Sequence, residues 1–266
     1  MIDRCGRLID YLRISVTDRC NLRCRYCMPP EGVPPLPPGE ILSFEEIVEV
    51  ARAATALGVT KIRLTGGEPL VRRGIETLVG MLAAVPGLRD LAMTTNGTLL
   101  APRAAGLAAA GLRRVNVSLD TLDPRRYADI TRGGDVRKVL SGIDAARRAG
   151  LNPVKLNCVV GAEGADSAAR DVAEFAAREG LAVRFIRQMD LPKGCFAIVQ
   201  GGSGGDCARC NRLRLTSDGQ VRPCLFADLS FSVRRLGAAA ALTQAVAEKP
   251  LSGSACCDRP MHLIGG

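Results

Sequence analysis

The chain has 266 residues, 47% of them hydrophobic, enough to bury a full core and to exclude a wholly disordered chain. Lys and Arg outnumber Asp and Glu by 36 to 27, and the resulting +9 suits an anionic partner. With no Trp, three Tyr and six Phe, the chain lacks the stacking platforms of a single-stranded nucleic-acid groove, so no nucleic-acid partner is expected. A single histidine, His262, argues against His-based triads and His-rich metal sites.

The first 190 residues alternate short β-branched runs with longer Ala/Leu/Arg segments. Strands are predicted at Leu12–Val16, Lys61–Leu64, Asp90–Thr94, Arg114–Leu119, Val154–Val160 and Ala182–Ile186. Ser43 and Glu46 read as a capping box opening a helix from Phe44 to Leu57. Further helices are predicted from Pro102 to about Ala110, Val136 to Ala149 and Ala165 to Arg178. Gly58, Gly111, Gly150 and Gly180 each follow a helical run, as C-cap glycines do. Six βα units in a row imply an α/β fold with a parallel sheet and right-handed crossovers, either doubly wound or closed as a barrel. No GxGxxG follows the first strand, which weakens the dinucleotide-fold alternative.

From residue 190 the pattern changes to the Gly-rich run 201–205 and then further cysteines. This divides the chain into a 1–189 unit and a 190–266 segment with too little regular pattern to fold alone without a metal. The amino end carries charges where a signal peptide needs an apolar run. No stretch reaches the length of a membrane span; the Ala-rich run Leu236–Ala247 is too short. A cytoplasmic location with no membrane partner is therefore expected. Eleven cysteines in a reducing compartment point to metal ligation or redox chemistry, although Cys158, inside the apolar run 154–160, reads as a small buried residue.

Cys20, Cys24 and Cys27 have CxxxCxxC spacing directly after the first strand. Three thiolates on one tight loop can hold three irons of a cubane and leave the fourth open, as a catalytic site requires; zinc is the alternative. Cys207, Cys210 and Cys224 form a second three-thiolate set, for which a zinc ribbon completed by Cys195, Cys256 or Cys257 is an open alternative.

The stretch YLRISVTDRCNLRCRYCMP resembles the cluster loop of radical S-adenosylmethionine (SAM) enzymes, most closely the GTP 3′,8-cyclase family that opens molybdenum cofactor biosynthesis. The likeness continues in LTGGEPL, TTNG, VNVSLD, KLNCVV, VRFI, CARCNRLRLTSDG, CLF and the terminal IGG, in the family's order. It implies a partial, six-stranded (β/α) TIM-type barrel with a C-terminal iron–sulfur segment over its open side. It implies two [4Fe–4S] clusters, on Cys20, Cys24 and Cys27 and on Cys207, Cys210 and Cys224. It also implies SAM bound by Tyr26, Gly66, Gly67, Glu68, Ser118 and Met189. The implied reaction is abstraction of the C3′ hydrogen of GTP by a 5′-deoxyadenosyl radical and closure of C3′ on C8. An external electron donor is needed, and the product passes to cyclic pyranopterin monophosphate synthase. The resemblance also admits a homodimer.

Arg13, Arg63, Lys155 and Arg184 lie in or beside predicted strands with apolar neighbours, so they should share the opposite face and need anions there. By resemblance these four, with Thr94, Arg212, Leu213 and Arg214, surround GTP, and the Gly265–Gly266 tail enters the site and assists the radical step. The chain departs from the family's pattern in three places. Only seventeen residues, 190–206, separate Met189 from Cys207 where the family has several dozen more. Arg187 stands where a glutamate is usual, and the segment after Cys224 is short. A peptide-modifying radical enzyme with auxiliary clusters, a cyclase of impaired activity and a non-catalytic metal module remain the alternatives.

Overall fold

The computed structural model describes residues 1–161, 164–189, 194 and 197–254. Strands β1 (Tyr11–Ser15), β2 (Lys61–Thr65), β3 (Asp90–Thr95), β4 (Arg114–Ser118), β5 (Lys155–Val160) and β6 (Ala182–Arg187) lie side by side in chain order, each parallel to the next. Helices α1 (Phe44–Ala56), α2 (Ile75–Ala83), α3 (Ala104–Ala109), α4 (Pro124–Thr131), α5 (Val136–Arg148) and α6 (Ser167–Arg178) occupy the crossovers. This is the partial TIM-type barrel that the βα alternation implies.

Alternation along each strand sorts the two faces. Leu12 and Ile14, Ile62 and Leu64, Leu91 and Met93, Val115 and Val117, and Leu156 and Cys158 join one buried cluster with helix residues such as Ile47, Leu78, Leu107, Ile143 and Val172. Each such side chain stabilises the fold by about 1.5–3 kcal/mol relative to an exposed one. Cys158 is fully buried in this layer, as its apolar setting suggests. The intervening residues, among them Arg13, Arg63, Thr94, Asn116 and Lys155, face the barrel interior.

Local signals fix the helix ends. Ser43 and Glu46 form the capping box at α1, the Ser43 hydroxyl accepting Glu46 N–H at 3.1 Å and the Glu46 carboxylate accepting Ser43 N–H at 2.7 Å. Two of the barrel helices escaped the sequence reading. Helix α2 starts at left-handed Gly74 with no side-chain cap. Helix α4 is a polar segment capped by Asp123 with Pro124 at its first position.

The C-terminal segment holds more regular structure than its sequence pattern suggests. Strand β7 (Arg212–Leu215) pairs parallel with β1, aligning Arg214 with Arg13. Strands β8 (Gln220–Arg222) and β9 (Phe231–Ser232) follow antiparallel, and α8 (Ala238–Ala247), after the short α7 (Val233–Leu236), packs on α1. Among the described residues the sheet thus has nine strands, with β6 and β9 at its edges. Gln200 exchanges backbone hydrogen bonds with Phe185 on β6 (3.1 and 3.2 Å), while Arg212 on β7 donates to Ser203 O at 2.6 Å. Residues 197–205 therefore touch both walls of the barrel opening.

Candidate active site

Because the six strands run parallel, the segments that follow them gather at one rim. The loop after β1 carries Cys20, Cys24 and Cys27. Its Arg23 and Arg25 N–H groups donate to Thr131 and Ile130 carbonyls at the end of α4 (3.1 and 3.0 Å). Arg132, left-handed at φ 54°, reaches back from that end to the Arg23 and Met28 carbonyls, both at 2.7 Å. The Cys20 sulfur accepts from Leu22 N–H (3.4 Å) and from Asn96 Nδ2 (3.9 Å). Burial, then Cys27, Asp120 and Cys20, push the Cys24 thiol up to about 12, and burial and Cys20 push Cys27 to about 11. Three neighbouring, half-buried thiols with so little cationic compensation ionise when a metal supplies the charge. This donor set, sulfur only and on one loop, fits an iron–sulfur cube with one open iron.

The Gly66–Gly67 turn after β2 lies flat against this loop. Gly67 N–H donates to Thr17 O and Glu68 N–H to Arg19 O, both at 2.8 Å. A Cβ on Gly66, whose φ is 148°, would meet Thr17 O at 2.5 Å, and one on Gly67 would meet Arg19 O at 2.3 Å. Glycine is needed here for the contact between the two loops. Glu68 is 1% exposed, and its carboxylate accepts from Leu70 N–H, Thr95 Oγ1 and Asn96 N–H at 3.0, 2.7 and 2.6 Å. Burial holds its carboxyl above the ordinary range.

Tyr26 donates its hydroxyl to Asp120 Oδ2 at 2.8 Å, and Asp120 Oδ1 accepts Val159 N–H at 2.8 Å. Both residues line a cavity of about 250 Å³ together with Ile130, Val159, Val160 and Gln188. Ser118 ends β4 opposite Asn157, and Met189 follows β6 on the same rim. Asp120 was not singled out from the sequence, although it closes the motif VNVSLD.

Below the rim the interior is strongly cationic. Arg13 lies between Arg63 and Arg214 in register, and Arg212 pairs with Tyr11. Burial, then Arg214, Tyr11, Arg63 and Arg212, act on Arg13, and the net effect is a value well below an ordinary guanidinium. Burial and Arg212 push Arg214 down to about 10. Asn116, assigned with its amide oxygen toward the cations, accepts from Arg63 Nη1 at 2.7 Å and Arg184 Nη1 at 2.9 Å. Arg63, Lys155, Arg184 and Arg212 form no ion pair among the described residues. Buried without a hydrogen-bond partner are Nε of Arg63, Arg184 and Arg212, Thr94 Oγ1 and Asn157 Oδ1. Unpaired donors on a cationic wall fit a polyanionic ligand. Leu213 points the other way; its side chain is fully buried in the apolar core. Sequence reading passed over Asn116 and Asn157, although each alternates with apolar neighbours as the arginines do.

Cys207, Cys210 and Cys224 are half-buried at the foot of β7 and after β8. Cys210 N–H donates to Cys207 O at 3.2 Å, and Phe226 N–H to the Cys224 sulfur at 3.4 Å. Among the described residues no three His, Cys, Asp or Glu side chains close around one ion. A cube, whose ligands hold different irons, spreads them more widely than zinc does. Gly265, Gly266, His262, Cys195, Cys256 and Cys257 lie outside the described residues.

A three-thiol loop at the rim of a partial (β/α) barrel, with a Gly-Gly-Glu-Pro turn pressed against it, defines a radical SAM enzyme. The sequence profile of the Radical SAM superfamily matches residues 14–176. The chain is 44% identical to the GTP 3′,8-cyclase of Moorella thermoacetica over the whole of both chains, and 43% identical to that of Pelotomaculum thermopropionicum over 94% of each. It is also 40% identical to that of Thermodesulfovibrio yellowstonii over the whole of both chains. The first alignment spans 323 positions against the 266 residues here, a difference of 57. SuiB of Streptococcus suis bound to the precursor peptide SuiA superposes with a TM-score of 0.70 at 14% identity, covering 92% of this chain and 66% of that one. Methylornithine synthase gives 0.59 at 17% identity, covering 95% and 77%. At such identities the two structures share the fold alone. The chain belongs to the GTP 3′,8-cyclase family, the radical SAM lyases of the first step of molybdenum cofactor biosynthesis. No described helix is long and apolar enough to cross a membrane.

Proposed function

We propose that this chain converts GTP to 3′,8-cyclo-7,8-dihydro-GTP inside the barrel, between the two cysteine triplets. The observation that carries the reading is the inner wall of Arg63, Lys155, Arg184 and Arg212, which bring cationic charge and buried donors but form no ion pair among the described residues. A nucleoside triphosphate supplies what that wall lacks, and guanidiniums suit phosphate because they bind it through two parallel hydrogen bonds.

Cys20, Cys24 and Cys27 would hold a [4Fe–4S] cluster. Bound there with SAM, it supplies one-electron cleavage to the 5′-deoxyadenosyl radical, the agent that takes the C3′ hydrogen of GTP. The chain's own residues position and screen. Gly66, Gly67 and Glu68 fix the rim beside the cysteine loop. Tyr26 and Asp120 border the cavity assigned to the adenosyl end of SAM, whose ring suits Ile130, Val159 and Val160. Ser118 and Met189 complete that assignment. Arg13, Arg63, Thr94, Lys155, Arg184, Arg212 and Arg214 hold the nucleotide; Leu213 contributes backbone only. Residues 197–205 shield the opening in place of the longer family segment. Cys207, Cys210 and Cys224 would hold a second [4Fe–4S] cluster, which would supply an open iron for the guanine, and the Gly265–Gly266 tail is assigned to assist the radical step. No general base is required, because a hydrogen atom is moved and not a proton. An external donor supplies two electrons, one for the cleavage of SAM and one that, with a proton, reduces the cyclised nucleotide radical, and the product goes to cyclic pyranopterin monophosphate synthase.

Anaerobically reconstituted protein with SAM and dithionite tests the reading. GTP should raise 5′-deoxyadenosine formation at least tenfold over ATP or no nucleotide, with one cyclised product per SAM consumed. Formation of 5′-deoxyadenosine indifferent to GTP would overturn it.

A further inference from the structure

Lys249 is the most deeply buried lysine side chain among the described residues, 1% exposed. Its ammonium donates to Arg212 O at 2.8 Å and Pro223 O at 2.6 Å. Arg212 stands two residues after Cys210, and Pro223 directly precedes Cys224. One ammonium thus ties the two separate stretches of chain that carry the second triplet. The next residues are held the same way: Arg7, paired with Asp3 at 2.7 Å, donates to the carbonyls of Cys207 (2.8 Å), Pro250 (2.7 Å) and Leu251 (3.1 Å).

A buried ammonium needs an anion. Lys249 forms no ion pair with a carboxylate among the described residues, and the two turns that it ties carry the Cys210 and Cys224 thiols.

We propose that Lys249 is the positioning residue of the second triplet: it clamps the Cys210 and Cys224 turns together and supplies the fixed positive charge that their metal-bound thiolates require. The proposal rests on the second-cluster reading given above. A cube held by three thiolates carries one net negative charge and gains another when an electron is added from an external reductant. A neighbouring fixed cation favours the reduced form and raises the potential.

The test uses the full chain, reconstituted anaerobically as wild type, Lys249→Met and Lys249→Arg. Iron and zinc are assayed, and dithionite titrations are followed by electron paramagnetic resonance. The SAM-sensitive signal of the first cluster reports folding in each variant. Wild type should hold about eight irons. Lys249→Met should either fall to about four irons or keep the second cluster with its reduced-to-oxidised ratio at least tenfold lower, about 59 mV for one electron. Lys249→Arg should restore most of either loss. Full iron and an unshifted second signal in Lys249→Met would overturn the proposal. If wild type instead holds about four irons plus zinc, the two-cluster reading fails on its own. The clamp is then judged by zinc: retention in Lys249→Met overturns it, and loss rescued by Lys249→Arg supports it.

Discussion

Thr95 and Glu68 meet in the dry interior, the Thr95 hydroxyl donating to Glu68 Oε1 at 2.7 Å. The same hydroxyl accepts Gly97 N–H at 3.0 Å, and the other carboxylate oxygen accepts Asn96 N–H, whose side chain touches Cys20. Two loops from adjacent strands are thereby locked together behind the cysteine loop. Glu68→Ala orphans two backbone N–H groups and one hydroxyl, at roughly 1–3 kcal/mol each before relaxation. A loss of about 3 kcal/mol in denaturant unfolding is expected, with incomplete loading of the first cluster.

Cys24→Ala and Cys158→Ala separate ligand from core. Cys24→Ala should remove the first cluster, lowering iron from about eight to about four per chain. Cys158→Ala leaves both iron sites full and costs only about 1 kcal/mol of stability for the lost sulfur contacts. Iron assay and urea unfolding check both.

Arg184 carries a buried, partnerless Nε and lies among Arg63, Arg114 and Arg212. Replacing it by Met removes like-charge repulsion and desolvation together, at the cost of its bond to Asn116. Arg184→Met should leave the ligand-free protein as stable as wild type or up to about 1 kcal/mol more stable, while weakening GTP binding at least tenfold, about 1.4 kcal/mol. Thermal unfolding with and without GTP measures both.

Asp90 and Arg114 form the ion pair at the foot of the barrel. Burial opposes the Asp90 charge, but Arg114's hydrogen bonds and charge outweigh it, so the carboxyl sits below its ordinary 3.8. Its contribution is therefore full above the unfolded value and is lost as pH falls through the lower folded one. Asp90→Asn should cost about 1–2 kcal/mol at neutral pH and flatten the acid limb of the stability profile below pH ~4.

The barrel was legible because its signals are local. Six strands of alternating pattern lie within about two residues of their predicted limits. Gly58, Gly111, Gly150 and Gly180, read as C-caps, all have positive φ. The secondary structure of the C-terminal segment was not legible. RLRL is too short to announce a strand, and β7 exists through its partner β1, some two hundred residues earlier in the chain. The cations on predicted strands could be assigned a common face, but Asn116 between Arg63 and Arg184 needed the folded register. Lys249 carried no local signal at all, since its partners come from two other loops.

In the proposed reaction the cationic barrel presents the ribose of GTP to the SAM-derived radical. GTP deuterated at C3′ tests it most directly, through the mass of the 5′-deoxyadenosine released by the reconstituted enzyme. One deuterium is expected in most of the 5′-deoxyadenosine. Release of 5′-deoxyadenosine without deuterium, at undiminished rate, would contradict it.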